Sequence, residues 1–263
     1  MLYDFTFEDN IDIRRDAVLF DVLFSNILPK EHDIGLTNGR SVIIGRSNKD
    51  IPAWVWTADD ITTLEYNEFM TYIPAIFGND EKIKFTAKPN TADDIASLLG
   101  GEIIKAGGLV SYKCETVISP KPTGTVKYPD MSDVDRIAEF LRGFTLECFG
   151  SADKVETYID KAANLIPDEN FYVLDVDGVT AAMAYMHPTN YNYMRYNRVY
   201  TQSNYRNRGH AAYLVSEMCK KAIEFGKLPI LYADEFNPAS NKAYRNIGFT
   251  ECGRLKEIEM VKI

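Results

Sequence analysis

Residues 199–211, VYTQSNYRNRGHA, constrain this chain more than any other stretch. An apolar strand runs into an arginine-rich turn. The turn opens a helix whose apolar positions, Ala211, Leu214, Val215, Met218, Ala222, Ile223 and Phe225, recur at three- and four-residue steps. Glu217, Lys220, Lys221 and Glu224 take the opposite face. Unpaired backbone N–H groups at a helix start, with the positive end of the helix dipole, make a ready anion site, and Arg206 and Arg208 add formal charge. Gly209 lets the backbone approach an oxygen closely, and Asn207 is one of the few non-glycine residues that tolerates a left-handed conformation. Two readings follow, a phosphate site or a solvated basic loop.

The chain continues into a short apolar run, Pro229 to Ala233, which reads as a buried strand and delivers Asp234, Glu235 and then FNPASNKAYRNIGF. Arg206 to Ala211 fits the pattern (Gln/Arg)-x-x-Gly-x-(Gly/Ala). Asn237, Ser240, Tyr244, Gly248 and Phe249 fit Asn-x-x-Ser-x-x-x-Tyr-x-x-x-Gly-Phe, one helix and one strand downstream. This ordered pair resembles the two signatures of the GCN5-related N-acetyltransferase (GNAT) superfamily, and the resemblance covers roughly residues 125–263. Ser203 stands where many relatives have proline and Asn207 where many have glycine, mild departures in a turn that depends on backbone geometry.

The resemblance implies an α+β fold on a mixed α/β sheet, the GNAT acyl-CoA N-acyltransferase fold, with acetyl-coenzyme A as acyl donor. It implies that Val199, Tyr200 and Thr201 pair with the pantetheine arm. Arg206, Asn207, Arg208, Gly209, His210 and Ala211 would cradle the pyrophosphate, and Asn237 and Ser240 would touch the pantetheine arm or cap the following helix. Tyr244 would act as general acid, giving a proton to the departing thiolate. Plainer roles stand beside these. Tyr244 could simply pack its ring, Ser240 could be only a cap, Phe249 belongs in a core, and His210 matters through its backbone rather than as a catalyst.

Elsewhere the C-terminal half predicts a strand near 125–128, helices over 130–144 and 152–165, and strands over 171–175 and 179–186 about the turn Asp177-Gly178. A strand over 191–201 follows, and a closing strand lies near 255–263. The first half predicts a helix over 14–28, strands over 41–45 and 53–57, helices over 62–77 and 91–99, and a strand over 109–116. A Pro- and Gly-bearing connection at 119–130 suggests two domains, 1–120 and 121–263. The first is expected to be a diverged, coenzyme-free copy of the second, or else an unrelated α+β cap. Trp54 and Trp56 share one face of their strand and read as core or interface packing before they read as an acceptor cleft. Tyr185, Tyr191, Tyr193, Tyr196 and Tyr200 form a local cluster of possible acceptor contacts.

A formal charge of −9 argues against nucleic acid as a partner and suits a cationic acceptor. The acceptor is therefore expected to be a small-molecule primary amine, for which Glu147, Asp234 and Glu235 are candidate contacts and general bases. The spacing of four cysteines and three histidines suggests neither a disulfide framework nor a metal site. No apolar run approaches membrane-spanning length, so a cytoplasmic monomer or homodimer is expected. The functional expectation is acetyl transfer to an amine by direct attack in a ternary complex; its rival is an acyl-coenzyme A sensor or assembly subunit without catalysis.

Overall fold

The computed structural model describes every residue except 7, 10, 190, 191 and 263. The first half of the chain forms β1 (Tyr3–Asp4), β2 (Ile34–Thr37), β3 (Val42–Arg46), β4 (Ala53–Thr57), α1 (Thr63–Ile76), β5 (Lys82–Ala87), α2 (Pro89–Leu99) and β6 (Glu102–Lys113). There follow β7 (Thr125–Lys127), α3 (Val134–Phe149), α4 (Ile159–Leu165), β8 (Phe171–Val176), β9 (Val179–Pro188) and β10 (Tyr193–Thr201). The chain ends with α5 (His210–Glu224), β11 (Leu228–Asp234), α6 (Pro238–Asn246) and β12 (Thr250–Val261). It makes two compact units, Met1–Tyr112 with Ala233–Asn237 and Glu251–Ile263, and Lys113–Tyr232 with Pro238–Thr250. The composition of residues 119–130 suggests a division at 120, whereas the compact units part after Tyr112 and the last strand belongs to the first unit. There β12 pairs antiparallel with β5, from Lys256 opposite Ala87 to Val261 opposite Lys82.

In the first unit the strands lie in the order β1-β2-β3-β4-β5-β12-β6. β1 to β4 pair antiparallel in succession, and β4 pairs parallel with β5. Every residue of β3 and β4 is buried, as expected of strands covered on both faces. Val42, Ile44, Val55, Phe85, Ile258 and Met260 share one core with Phe69 and Ile73 of α1 and Ile95 of α2. On the other face Phe20 and Phe24 meet Trp54 and Trp56 edge-on, with ring centroids 6.2 and 6.5 Å apart. The Trp56 indole N–H donates to Asp16 at 2.8 Å. Both tryptophans are therefore core residues. The helix expected over 14–28 is instead a run of turns ending in a π-helical turn, Leu23–Ile27, closed by the Leu28 N–H donating to the Leu23 carbonyl at 3.0 Å.

The second unit carries strands in the order β11-β10-β9-β8-β7. β7 to β10 pair antiparallel in succession, and β10 pairs parallel with β11 through the crossover helix α5. Asp177 and Gly178 both take positive φ, 54° and 81°, as the tight β8–β9 turn requires. Ile137, Ala138, Phe140 and Leu141 of α3 pack on Phe171, Val173 and Met183. On α5, Leu214, Val215, Met218, Cys219 and Ala222 are buried, each large aliphatic chain contributing about 1.5–3 kcal/mol. Ile223 and Phe225 are exposed, because the stripe turns away from the sheet at the helix end and Phe225 lies beyond the last helical residue.

Each unit thus repeats one arrangement: three antiparallel pairings in succession, then a helical crossover into a parallel neighbour. The strands of the first half therefore repeat the pairing order of the second. Among the described residues no helix is long and apolar enough to cross a membrane.

Candidate active site

The site grows from a defect in a strand. In β10 the register shifts between Asn197, opposite Tyr185, and Tyr200, opposite Met183, so that Arg198 and Val199 face a single residue of β9. Such a bulge leaves backbone groups outside the ladder, and Arg198 carries the positive φ, 50°, that accompanies it. The strand ends at Thr201, passes through the short helical turn Ser203–Tyr205, and reaches Arg206 in an extended conformation. Asn207 and Gly209 are then left-handed, with φ of 61° and 81°. α5 begins at His210 with no side chain capping it. Its first N–H groups are therefore turned toward an exposed, doubly arginine-bearing turn, the arrangement that favours an anion. A side chain at position 209 would be strained by backbone conformation alone, since the space beside it is open.

The corresponding turn of the first unit is its chemical opposite. Between β4 and α1 stand Asp59 and Asp60, and the start of α1 is closed by a capping box in which Thr62 and Glu65 bond each other's backbone N–H. Carboxylates and a hydroxyl occupy the place an anion would need. Arg40 and Lys88 are drawn onto those same acids.

The side chains of the basic turn have partners. The Arg206 guanidinium donates to the Thr201 carbonyl at 2.9 Å and to Glu147, and it lies 5.3 Å from the Tyr200 ring centroid. Arg208 stacks over Tyr205 at 5.8 Å. Gly143 of α3 admits the Tyr200 hydroxyl, which any side chain there would obstruct. His210 is buried and neither ring nitrogen has a hydrogen-bond partner among the described residues. Burial, with Arg208 nearby, holds it below the usual histidine range, so it is neutral at pH 7. Its ring faces inward while its backbone opens the helix.

Tyr244 sits on α6, half-buried, its ring edge-on to Phe249 with centroids 5.8 Å apart. Burial, then the Cys148 and Cys219 thiols, push its hydroxyl well above the ordinary tyrosine range. Ser240 is half-buried in the first turn of the same helix. In the first unit, the Asp234 carboxylate accepts from the Phe236 N–H at 2.8 Å and its carbonyl accepts from the Asn237 N–H at 3.1 Å. Glu235 lies against Gly108 and 3.7 Å from Arg254. Glu147, Asp234 and Glu235 are thus each engaged in a local pair or turn. A carboxylate that sequence reading passes over, Glu257 of β12, is held above its usual range by burial and by Asp234, against the pull of Lys105. Glu257 is one of three glutamates on β12, and only tertiary burial distinguishes it.

The second unit also holds a cavity of about 450 Å³ between α3, α4 and the bulge of β10. Leu141, Phe144, Tyr158, Lys161, Asn197 and Arg198 are among the residues lining it. Spacing does not bring them together, because they come from separate elements, Tyr158 from the short helical turn that precedes α4. Of the tyrosine cluster, Tyr185 donates to Asp168 at 2.7 Å and is pushed up to about 12 by burial and that carboxylate. Tyr196 is buried and Tyr193 half-buried, while Tyr191 lies outside the described residues. Among the described residues no group of three or more His, Cys, Asp or Glu side chains is placed to hold a metal ion.

The ion pair Glu147–Arg206 leaves its partners 51% and 38% exposed, so its contribution to stability is small. Glu147→Gln is expected to leave the melting temperature nearly unchanged while tightening the binding of inorganic pyrophosphate about two- to fivefold at low salt, because the arginine is released to an anion. Calorimetry at two salt concentrations checks this. Weaker binding in the variant would mean that Glu147 holds Arg206 in the binding pose.

This architecture is that of acyltransferases with a mixed α/β fold, and solved structures match it along most of the chain. An acetyltransferase of the GNAT family from Colwellia psychrerythraea is 13% identical, covers 99% of both chains and has a TM-score of 0.60. A GCN5-related N-acetyltransferase from Kribbella flavida is 14% identical over 94% of each chain, with a TM-score of 0.58. Another from Sphaerobacter thermophilus is 13% identical over 85% of this chain and 78% of its own, with a TM-score of 0.60. At such identities the likeness establishes the fold. The acetyltransferase (GNAT) family model matches residues 135–249. The C-terminal half of the chain is therefore a domain of the GNAT acetyltransferase family. No curated protein matches the chain.

Proposed function

We propose that the protein is an acetyl-coenzyme A-dependent N-acetyltransferase that modifies a primary amine of a small molecule or amino acid by direct attack in a ternary complex. The observation that carries this reading is the bulge of β10 running into the uncapped, left-handed turn before α5, in the half of the chain that belongs to the family. Residues 206–211 would hold a pyrophosphate through backbone N–H groups and arginine charge, and Val199 to Thr201 would offer backbone groups to an extended amide arm. Acetyl-coenzyme A supplies an acetyl group activated as a thioester. The chain's own residues bind, orient and manage protons. Amides freed at the bulge would donate to a carbonyl oxygen that gains negative charge. Tyr244 keeps a proton available for sulfur, and burial keeps that hydroxyl neutral. The transfer balances: a nitrogen–carbon bond forms, the carbon–sulfur bond breaks, the amine loses one proton and the sulfur gains one.

The first unit is proposed to be free of coenzyme, because its corresponding turn is acidic and capped. The test of function is thiol release from acetyl-coenzyme A over a panel of amines, with coenzyme affinity measured in parallel. Release that depends on an amine is the expected result. Tight coenzyme binding without release on any acceptor would replace this reading with that of a sensor.

A further inference from the structure

The cavity of the second unit contradicts what the chain's net charge suggests about its occupant. Its apolar wall comes from Leu141, Phe144 and Leu165. Two cations, Lys161 and Arg198, line it, and among the described residues no carboxylate does. Both heads are positioned by aromatic rings: Lys161 Nζ lies 4.9 Å from the centroid of Tyr158, and Arg198 Cζ 5.5 Å from that of Tyr185. Arg198 is further placed by its left-handed backbone in the bulge. Asp168 follows α4 closely in sequence, but its carboxylate accepts from the Tyr185 hydroxyl and from Asn170. Asn197 also lines the cavity, although its side-chain oxygen is itself sealed from solvent.

Resting on the transferase reading above, we infer that this cavity takes the acceptor, and that the acceptor is an α-amino acid with an apolar or aromatic side chain. Two substituents of such a molecule meet matching groups. The carboxylate meets the two cations, whose hydrogen bonds to charge are the strong ones. The side chain meets the apolar wall, and the volume falls within the range of about 300–1,000 Å³ usual for small-molecule sites. A polyamine would bring its positive charges against Lys161 and Arg198, a costly like-charge approach.

The experiment compares thiol release with phenylalanine, leucine, their decarboxylated amines, their amides and spermidine, and measures amino-acid binding by calorimetry with coenzyme A present. The free amino acids are expected to show kcat/KM at least about tenfold above the matching decarboxylated amines. Lys161→Met with Arg198→Gln is expected to bring that ratio near one while coenzyme affinity and melting temperature stay unchanged. Both side chains are solvent-exposed, so folding does not depend on them. Release that is equal or faster with decarboxylated amines or spermidine would overturn the inference and leave the transferase reading standing. Amino-acid binding abolished by the double variant, but without thiol release on any amine, would keep the cavity assignment as a ligand site and overturn the transferase reading. The absence of both amino-acid binding and a carboxylate preference would overturn the cavity assignment.

Discussion

Tyr244→Phe is expected to lower kcat for thiol release by about a hundredfold or more, the effect of losing a positioned proton donor. Coenzyme affinity should change little, because phenylalanine preserves the ring that meets Phe249 edge-on at 5.8 Å. The reason lies in burial. The environment that pushes the Tyr244 hydroxyl above its ordinary range penalises any anion formed beside it, including a departing thiolate without a donor. The sign for pH follows. A tyrosine whose pKa is raised stays protonated as pH climbs, so wild-type kcat should show no decline attributable to this group below about pH 10. A steady-state pH profile of both proteins checks this. Equal kcat in the variant would leave Tyr244 a packing residue, as its contact with Phe249 also allows.

Gly248→Ala is expected to destabilise the protein by about 3 kcal/mol or more, summing backbone strain and overpacking. Gly248 has a φ of 104°, and a Cβ there would drive into the Thr116 carbonyl oxygen, a backbone atom with no rotamer to give way. The Ile118 N–H, which donates to the Ile247 carbonyl at 3.0 Å, ties the segment after β6 that carries this carbonyl to the same stretch of chain as Gly248. Thermal melting should show a fall of roughly 10 °C. An unchanged melting temperature would mean that the chain near Thr116 yields, and the glycine of the second signature would then owe its place to something other than this contact.

These two residues were legible through the spacing of the second signature, whereas the Thr116 carbonyl and the burial that constrain them come from distant parts of the chain. Local constraints made Asn207 and Gly209 legible, whose left-handed φ values follow from side chains that tolerate the conformation, and likewise Asp177-Gly178 in the β8–β9 turn. The helix stripe of α5 was readable as far as Ala222 and misread at Ile223 and Phe225, where periodicity continues but the sheet does not. Glu147 lies on α3, so its pairing with Arg206, across fifty-nine positions of chain, has no periodic signal. β12 was recognisable as a strand but not as the neighbour of β5, since alternation specifies a face and says nothing about a partner.

Turn chemistry, caps and the paired signatures are short-range properties, decided by sterics and hydrogen bonds within a few residues, and the amino-acid sequence carries them openly. It therefore states which turn can bind a phosphate, while the acidic, capped counterpart at Asp59, Asp60 and the Thr62–Glu65 box is recognisable as such only in the structure, where the two halves can be compared. Burial and charge pairing sum contributions from distant segments. Only the tertiary structure could bring Lys161, Asn197 and Arg198 to one apolar cavity in a chain of net charge −9, because an electrostatic site is decided by the groups within a few ångströms and not by the total.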